Sequence, residues 1–394
     1  MGMLKDLMVL DLSRILAGPY CTQMLADLGA TVWKIEPLQG DDTRRWGPPF
    51  VEGESAYYLS VNRGKKSIAV NLKTKEGQAL VQKLAERADI LVENFKVGDL
   101  QRYGLDYQSV KGFNPDIIYC SITGFGQTGP RSGEPGYDAA LQAMSGLMSI
   151  TGEAEGAPVK VGVAVIDVLT GLHAAVAILA ALHERNSKHQ SKYLDISLLD
   201  VSLASLVNQA QATLMTGQNP QPLGSAHPQI VPYQALETSD GYFMLAVGND
   251  EQYRKFCEVA DCMELWQDTR FQSNAGRVEY RQELIPALTQ VTKTQRSRYW
   301  LELCKKAGIP ASPINTLTEV FADEHVKARG LIESLKHPLL GSLSTIASPF
   351  KHSFSTPVSP PPLLGQHTFE VLQETLGLSK EQLETLEEKK VIRG

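Results

Sequence analysis

Cysteine is scarce in this sequence of 394 residues, and the five present (Cys21, Cys120, Cys257, Cys262 and Cys304) contain no C-x-x-C pair. An odd, scattered set argues against a disulfide frame or a zinc site and reads as reduced thiols in a cytosol. Positive charge is not in surplus either. The 38 Lys and Arg stand against 44 Asp and Glu, a net charge of −6. That argues against a general nucleic-acid or membrane-surface role, while leaving room for a local basic pocket. No unbroken apolar run reaches membrane-spanning length, and the longest, Leu169 to Leu182, is interrupted by Thr170 and His173. At the amino end, Lys5, Asp6 and Asp11 stand where a signal peptide needs an apolar core. Asp6 also occupies the position where a myristoylation signal needs Ser or Thr.

Several catalytic signatures are missing as well. There is no G-x-S-x-G elbow and no H-E-x-x-H pair, which removes two common hydrolase readings. Gly64-Lys65-Lys66-Ser67 has an extra lysine and lacks the glycine a P-loop places five residues earlier, so an ATP-driven ligase is disfavoured. The turn Ser13 to Pro19 holds one glycine where a dinucleotide fingerprint needs three, although Glu36 ends a strand where an acidic residue would meet a ribose.

What is present is a rhythm of strands and helices. Leu7–Leu12, Thr31–Glu36, Ser67–Leu72, Asp89–Glu93, Asp116–Ile122 and Leu194–Leu198 read as buried strands. A helix through Leu28, another over Lys75–Ala88 and a third over Leu199–Met215 lie between or after them. This alternation predicts an α/β fold with a parallel sheet covered by helices on both faces. Residues 1–217 are expected to form the first part of a large domain, 218–232 a proline- and glycine-rich linker, and 233–320 a smaller α+β domain opened by a hairpin around Ser239-Asp240-Gly241. Residues 321–394 are expected to be irregular at first, then to return as helices at Thr368–Leu376 and Lys380–Glu387 that complete the large domain.

The chain is organised around Val161–Leu182. A single carboxylate, Asp167, interrupts an apolar stretch that continues as a helix with Leu169, Leu172, Val176, Leu179 and Leu182 at helical spacing. So few charges predict a buried helix, with Asp167 at its amino end, where free N–H groups and the helix dipole favour the ionised form. Locally, Asp167 reads either as a helix cap or as a carboxylate nucleophile. Elsewhere, the loop GDDTRRWGPPF (40–50) and the basic run NRGKK (62–66) read as solvated loops when taken alone. The glycine-rich stretch Thr123–Tyr137 and Asn94-Phe95 follow strands, where open α/β sheets bind ligands. His173 reads as a packed core residue, six positions beyond Asp167 and off its face.

Taken together, VLDLSRILAGPY (9–20), DLGATVWKIEP (27–37), NRGKKSIAVNLK (62–73), ILVENF (90–95), SITGFGQTGP (121–130), GYDAALQAMSGLM (136–148) and PPPLLGQHT (360–368) make the chain resemble the class III CoA-transferases, the CaiB/BaiF family. GDDTRRWGPPF and GSAHPQIVPYQA make it most similar to the branch that moves CoA between succinate and glutarate-like dicarboxylates. The resemblance implies a Rossmann-like large domain built from both chain ends, an inserted small domain and an interlocked homodimer. Acyl-CoA and a carboxylic acid would be substrates, with no permanently bound cofactor and no metal. It implies that Asp167 is the nucleophile, passing through a mixed anhydride to an aspartyl-CoA thioester, without ATP.

Residue by residue, the resemblance places Val70, Lys73, Asn94, Phe95, Arg102 and Tyr137 against CoA, with Lys73 and Arg102 as phosphate partners. The acceptor's second carboxylate would meet Arg14, Arg44, Arg45 or His227. Formyl transfer is disfavoured, because Leu16 stands where that branch has glutamine and its tetraglycine flap is absent. A racemase of the same fold is disfavoured because its histidine is replaced by Tyr137, whose proton is too weakly acidic for that work. A non-catalytic CoA- or nucleotide-binding module is the remaining alternative.

Overall fold

A computed structural model describes residues 2–188, 191–354 and 357–394. It divides into two compact units. One comprises Met1–Leu147, Lys160–Gly217 and His325–Gly394; the other comprises Met148–Val159 and Gln218–Glu324. The second excursion, Met148–Val159, differs from the expected single insertion. It is held within its unit by a hydrogen bond from Gly224 N–H to the Gly152 carbonyl at 2.8 Å.

In the larger unit, β1 (Met8–Asp11), α1 (Ala17–Asp27), β2 (Thr31–Glu36), β3 (Lys65–Val70), α2 (Lys75–Ala85), β4 (Ile90–Glu93) and β5 (Ile118–Thr123) follow in order. Then come α3 (Asp138–Met144), α4 (Val165–Lys188), β6 (Lys192–Ser197), α5 (Leu198–Ser205) and α6 (Val207–Thr216). The strands pair in parallel in the order β3-β2-β1-β4-β5-β6, the doubly wound arrangement of dinucleotide-binding folds. One apolar layer, with Leu10, Ile35, Leu91 and Tyr119, lies on one face; the other, with Val9, Val92, Cys120 and Ile178, lies on the opposite face. The strand order reverses between β1 and β4, so the crevice beyond their carboxyl ends is where such a sheet takes its ligand.

The smaller unit has an antiparallel sheet with the hairpin β7 (Tyr233–Thr238) and β8 (Gly241–Ala246), packed with α7 (Asp250–Val259), α8 (Arg281–Thr292) and α9 (Ser297–Ala307). The sheet gains β9 (Ala311–Pro313) against β8. Past Phe321, expected to be irregular, the larger unit instead has a hairpin, β10 (Ile332–His337) and β11 (Gly341–Ile346). Its final helices, α10 (Thr368–Leu376) and α11 (Lys380–Glu388), lead to β12 (Ile392–Arg393), which adds antiparallel to the β3 edge.

Three other expectations are corrected. The run NRGKK is not solvated. Lys65 is wholly buried, donating to Asp11 at 3.1 Å, and Arg63 grips the buried Asp27 through two nitrogens. The expected helix over 199–215 is two helices, broken where Val207 takes φ 35°. Helix α4 is buried on one face only. Ala174, Ile178 and Ala181 pack inward, whereas Leu172, Val176 (66% exposed) and Leu179 are open, and so is His173, placed above in the core. Its stretch Val165–Arg185 is long and apolar enough to cross a membrane by length and composition. In this fold it is the crossover helix before β6, packed against α1 and β5.

Candidate active site

The site is positioned by one close helix crossing. A Cβ at Gly171 would stand 2.7 Å from the Ala17 carbonyl oxygen, so only glycine lets α4 approach α1 this closely. One turn earlier on α4 is Asp167. It thereby lines a cavity with Arg14, Ile15, Leu16 and Ala17 of the first strand–helix turn. The far wall is the glycine-rich loop, folded back so that a Cβ on Gly124 would meet the Gly136 Cα at 2.6 Å.

Asp167 is not the cap of its helix. That role belongs to Asp138, 29 residues earlier, whose Oδ1 accepts the N–H groups of Ile166 at 2.8 Å and Asp167 at 3.2 Å. Gln142 Nε2 donates to Asp138 Oδ2 at 2.5 Å and holds it in place. The Asp167 carboxylate is left without a hydrogen-bond partner among the described residues. The expected stabilisation of its charge by the helix end is overridden. Burial, and then the Asp138 carboxylate, push its pKa up to about 7. Tyr57, unnoticed in the sequence, is raised to about 12 by burial and by the charge of Asp167, so it stays a hydrogen-bond donor at neutral pH.

Buried ion pairs shape the turn opposite Asp167. Lys34 Nζ donates to Asp41 at 2.9 Å and to the Ser13 carbonyl at 3.0 Å, and Asp41 accepts from Ile15 N–H. Asn94 clips the same turn from the other side, accepting from Arg14 N–H at 2.9 Å and donating to the Arg14 carbonyl at 2.7 Å. Between these restraints Ile15 is held at φ 70°, a strained setting for a β-branched residue.

A second cavity, of about 410 Å³, adjoins the first. It is lined by Val70, Lys73, Phe95, Arg102 and Tyr103, and Arg14 and Phe95 line both cavities. Lys73 and Arg102 are exposed, and Arg102 stacks on Tyr103 at 4.8 Å. Two cations therefore stand at one end of a cleft whose other end holds a half-buried carboxylate.

Residues 4–368 match CoA-transferase family III. The chain belongs to this family. It is similar to the succinate–glutarate CoA-transferase of Agrobacterium fabrum, 46% identical over 381 residues covering 94% of this chain and 95% of that protein. The human succinyl-CoA:glutarate CoA-transferase is 44% identical over 376 residues, 95% of this chain and 86% of its own. A CaiB/BaiF family protein from Brucella suis, of known crystal structure, aligns with TM-score 0.84 at 44% identity over 95% of this chain and 99% of its own.

As a family III CoA-transferase, the chain brings together Asp167, Tyr137 and Arg14 around one cavity, and Val70, Lys73, Phe95 and Arg102 around the next. Asn94 lines the first cavity, but its carboxamide is occupied with Arg14. Arg44 is not available to a substrate. Its fork is taken by Glu36 at 2.8 and 2.8 Å, Tyr58 and the Pro362 carbonyl, and its guanidinium lies 3.6 Å over the Tyr58 ring. Glu36 is consequently spent on Arg44 and Ser67 rather than poised for a ribose. Arg45 pairs with Asp42 at 2.9 Å and lines neither cavity. His227 belongs to the smaller unit, where its Nδ1 accepts from Gln229 N–H at 3.0 Å. Lys96, overlooked in the sequence, lines the Asp167 cavity.

Proposed function

We propose that this transferase moves CoA from succinyl-CoA to a short dicarboxylate of the glutarate type through an aspartyl-CoA thioester on Asp167. The observation carrying this reading is the unpartnered, half-buried Asp167 carboxylate at the end of a cleft with exposed Lys73 and Arg102 at its far side. The names of the relatives supply the acids.

In this reading the Asp167 carboxylate attacks the thioester carbonyl, and the C–S bond breaks to release CoA thiolate. The thiolate then attacks the Asp167 acyl carbon of the mixed anhydride, freeing succinate and leaving aspartyl-CoA. Glutarate repeats the two steps in reverse. Each bond broken is replaced by one of similar energy, so no nucleotide is consumed. The oxyanions fall to the amino end of α1, which has no side-chain cap and lines the cavity at Leu16 and Ala17. Incubating the protein with succinyl-CoA and glutarate should yield glutaryl-CoA and succinate in equal amounts. Absence of exchange with every dicarboxylate tried would refute the assignment.

Lys73 and Arg102 are assigned to CoA phosphates. Lys73→Ala and Arg102→Ala should each raise KM for CoA esters by about 1–3 kcal/mol, the scale of one charge-assisted contact, with kcat little changed. Against dephospho-CoA esters the effect should shrink for whichever residue meets the 3′-phosphate. Unaltered KM in both variants would move the nucleotide elsewhere.

We also propose that the chain works as an interlocked homodimer. The support is the apolar surface one chain leaves open: Leu172, Val176 and Leu179 of α4 with Leu203, Leu214 and Met215 of α5 and α6, the last two about 80% exposed. Sedimentation at nanomolar concentration should return twice the 43.2 kDa chain mass. Reversible dissociation at micromolar concentration would contradict the interlock. The five buried free thiols suit a reducing compartment such as the cytosol.

A further inference from the structure

The carboxyl ends of three neighbouring strands carry a polar row that the transfer steps leave unused. Glu93 ends β4, Ser121 is its register partner on β5, and Asp195 is the partner of Ser121 on β6. In-register residues of a parallel sheet share a face, so the three side chains stand side by side. Glu93 and Ser121 are buried. Glu93 Oε2 accepts Phe95 N–H at 2.8 Å, and the Ser121 side chain is its neighbour across the register. Ser121 Oγ accepts from Gln127 Nε2 at 2.8 Å, while Asp195 Oδ2 accepts Gln127 N–H at 3.0 Å.

The row therefore ties two loops together. Residues 94–98 carry Phe95, the wall shared by both cavities, and the glycine-rich loop carries Gln127. Behind residues 94–98 lies a small void of about 60 Å³, lined by Glu93, Lys96, Gln127, Tyr107, Tyr119 and Tyr193. Lys96 and Val97 border both this void and the Asp167 cavity, so the loop is a thin partition with space on either side.

Resting on the CoA-transferase reading above, we propose that Glu93 is a positioning residue for acyl-CoA binding. Its carboxylate sets residues 94–98 against the glycine-rich loop, and loss of its charge loosens that setting and weakens CoA binding. A charged acceptor holds the Phe95 N–H more strongly than a neutral one. A neutral carboxyl also carries a proton that needs an acceptor, and the neighbouring Ser121 Oγ already accepts from Gln127. The hold on Phe95 is then weakened.

Protonation falls in an accessible range. Burial pushes Glu93 up to about 7 against the lowering effect of Ser121 and Phe95 N–H, and Asp195 adds repulsion. The other groups facing this region are Tyr193 from β6, Tyr119 and Cys120 from β5, Asp106 and Tyr107 from the segment after β4, and Lys96 from the loop itself. Lys111 lies over the Tyr107 ring at 5.7 Å.

The test measures CoA binding by calorimetry from pH 6 to 8 in an Asp167→Asn parent, where neither the nucleophile's titration nor covalent capture contributes. The parent Kd should rise about tenfold as pH falls, the scale of one net hydrogen bond. Adding Glu93→Gln, isosteric with the protonated form, should give the weaker Kd already at pH 8 and flatten that rise. Adding Ser121→Ala instead removes a donor that lowers Glu93, so the midpoint of the profile should move to higher pH. CoA's own titration is common to all three proteins. A Glu93→Gln profile superimposable on the parent's, or an unmoved midpoint in Ser121→Ala, overturns the proposal. Absence of CoA binding by the parent at pH 8 overturns the CoA assignment itself, and this proposal with it.

Discussion

Asp167→Asn and Asp167→Ala should fold normally and lose CoA transfer by roughly three or more orders of magnitude, because the carboxylate proposed as nucleophile is gone. The Asp138 carboxylate at the same helix end is committed to Ile166, Asp167 and Gln142, and Glu134, which also lines the cavity, pairs with Arg131 at 3.3 Å. After exposure to succinyl-CoA, wild-type protein should gain a CoA mass that hydroxylamine removes, and the variants should not. Near-normal turnover in Asp167→Ala would end the nucleophile reading.

The same carboxyl sets a pH dependence. With its pKa near 7, only the ionised fraction attacks, so kcat/KM should fall about tenfold per unit below pH 7. Stability runs the other way. The folded pKa lies above the unfolded value of about 3.9, so the folded state favours the protonated acid. Its stability is undiminished below pH ~4 and falls as pH rises through 7. Asp167→Asn should therefore gain stability at pH 8, by about 1–2 kcal/mol once partial solvent exposure is allowed for, and nothing near pH 4. Thermal melts at the two pH values read this directly. A gain that is equal at both would point to packing rather than charge.

Legibility in the sequence followed the range of the interactions. The strands of the main sheet stood out because each is a short apolar run packed on both faces, and Asp167 because one carboxylate broke an otherwise apolar helix. Its cap did not stand out, since Asp138 reaches it across 29 residues and nothing local marks the pair. The run NRGKK looked solvated for the same reason: Lys65 finds Asp11 54 positions away, and Arg63 finds Asp27 36 positions away. The break at Val207 has no glycine or proline to announce it. The hairpin Ile332–His337 and Gly341–Ile346 does alternate in burial, a period-two pattern obscured by serines and the prolines that follow. Of the arginines around GDDTRR, sequence could not say which was spoken for. Tyr58, Glu36 and Pro362, scattered along the chain, together claim Arg44.

That sorting sharpens the expected choice of acceptor. A glutarate-type acid puts one carboxylate at Asp167 and must lodge the other beside a cation or polar donor, since a buried unpaired charge is costly. With Arg44 committed and Arg45 outside the cavities, Arg14 is the arginine of the original set that borders Asp167, with Lys96 beside it. Arg14 is exposed, and its pair with Asp42 at 3.3 Å is open to solvent on both sides, so exchange of that partner for a substrate carboxylate costs little. It also lies 5.7 Å over Phe95, at the junction of the two cavities, close to where the acyl group of a CoA ester would pass between them. Glutarate should therefore outpace valerate, of matched length but without the second charge, by roughly one to two orders of magnitude in kcat/KM, the scale of a charge-assisted hydrogen bond, because valerate has no charge to draw Arg14 from Asp42. Arg14→Gln should erase most of that preference by lowering the glutarate rate, while leaving the slow valerate rate and the hydroxylamine-sensitive adduct in place. Equal rates for glutarate and valerate in the wild type would sink the dicarboxylate assignment and leave the Asp167 chemistry standing. A preference that survives Arg14→Gln would instead transfer the distal carboxylate to Lys96.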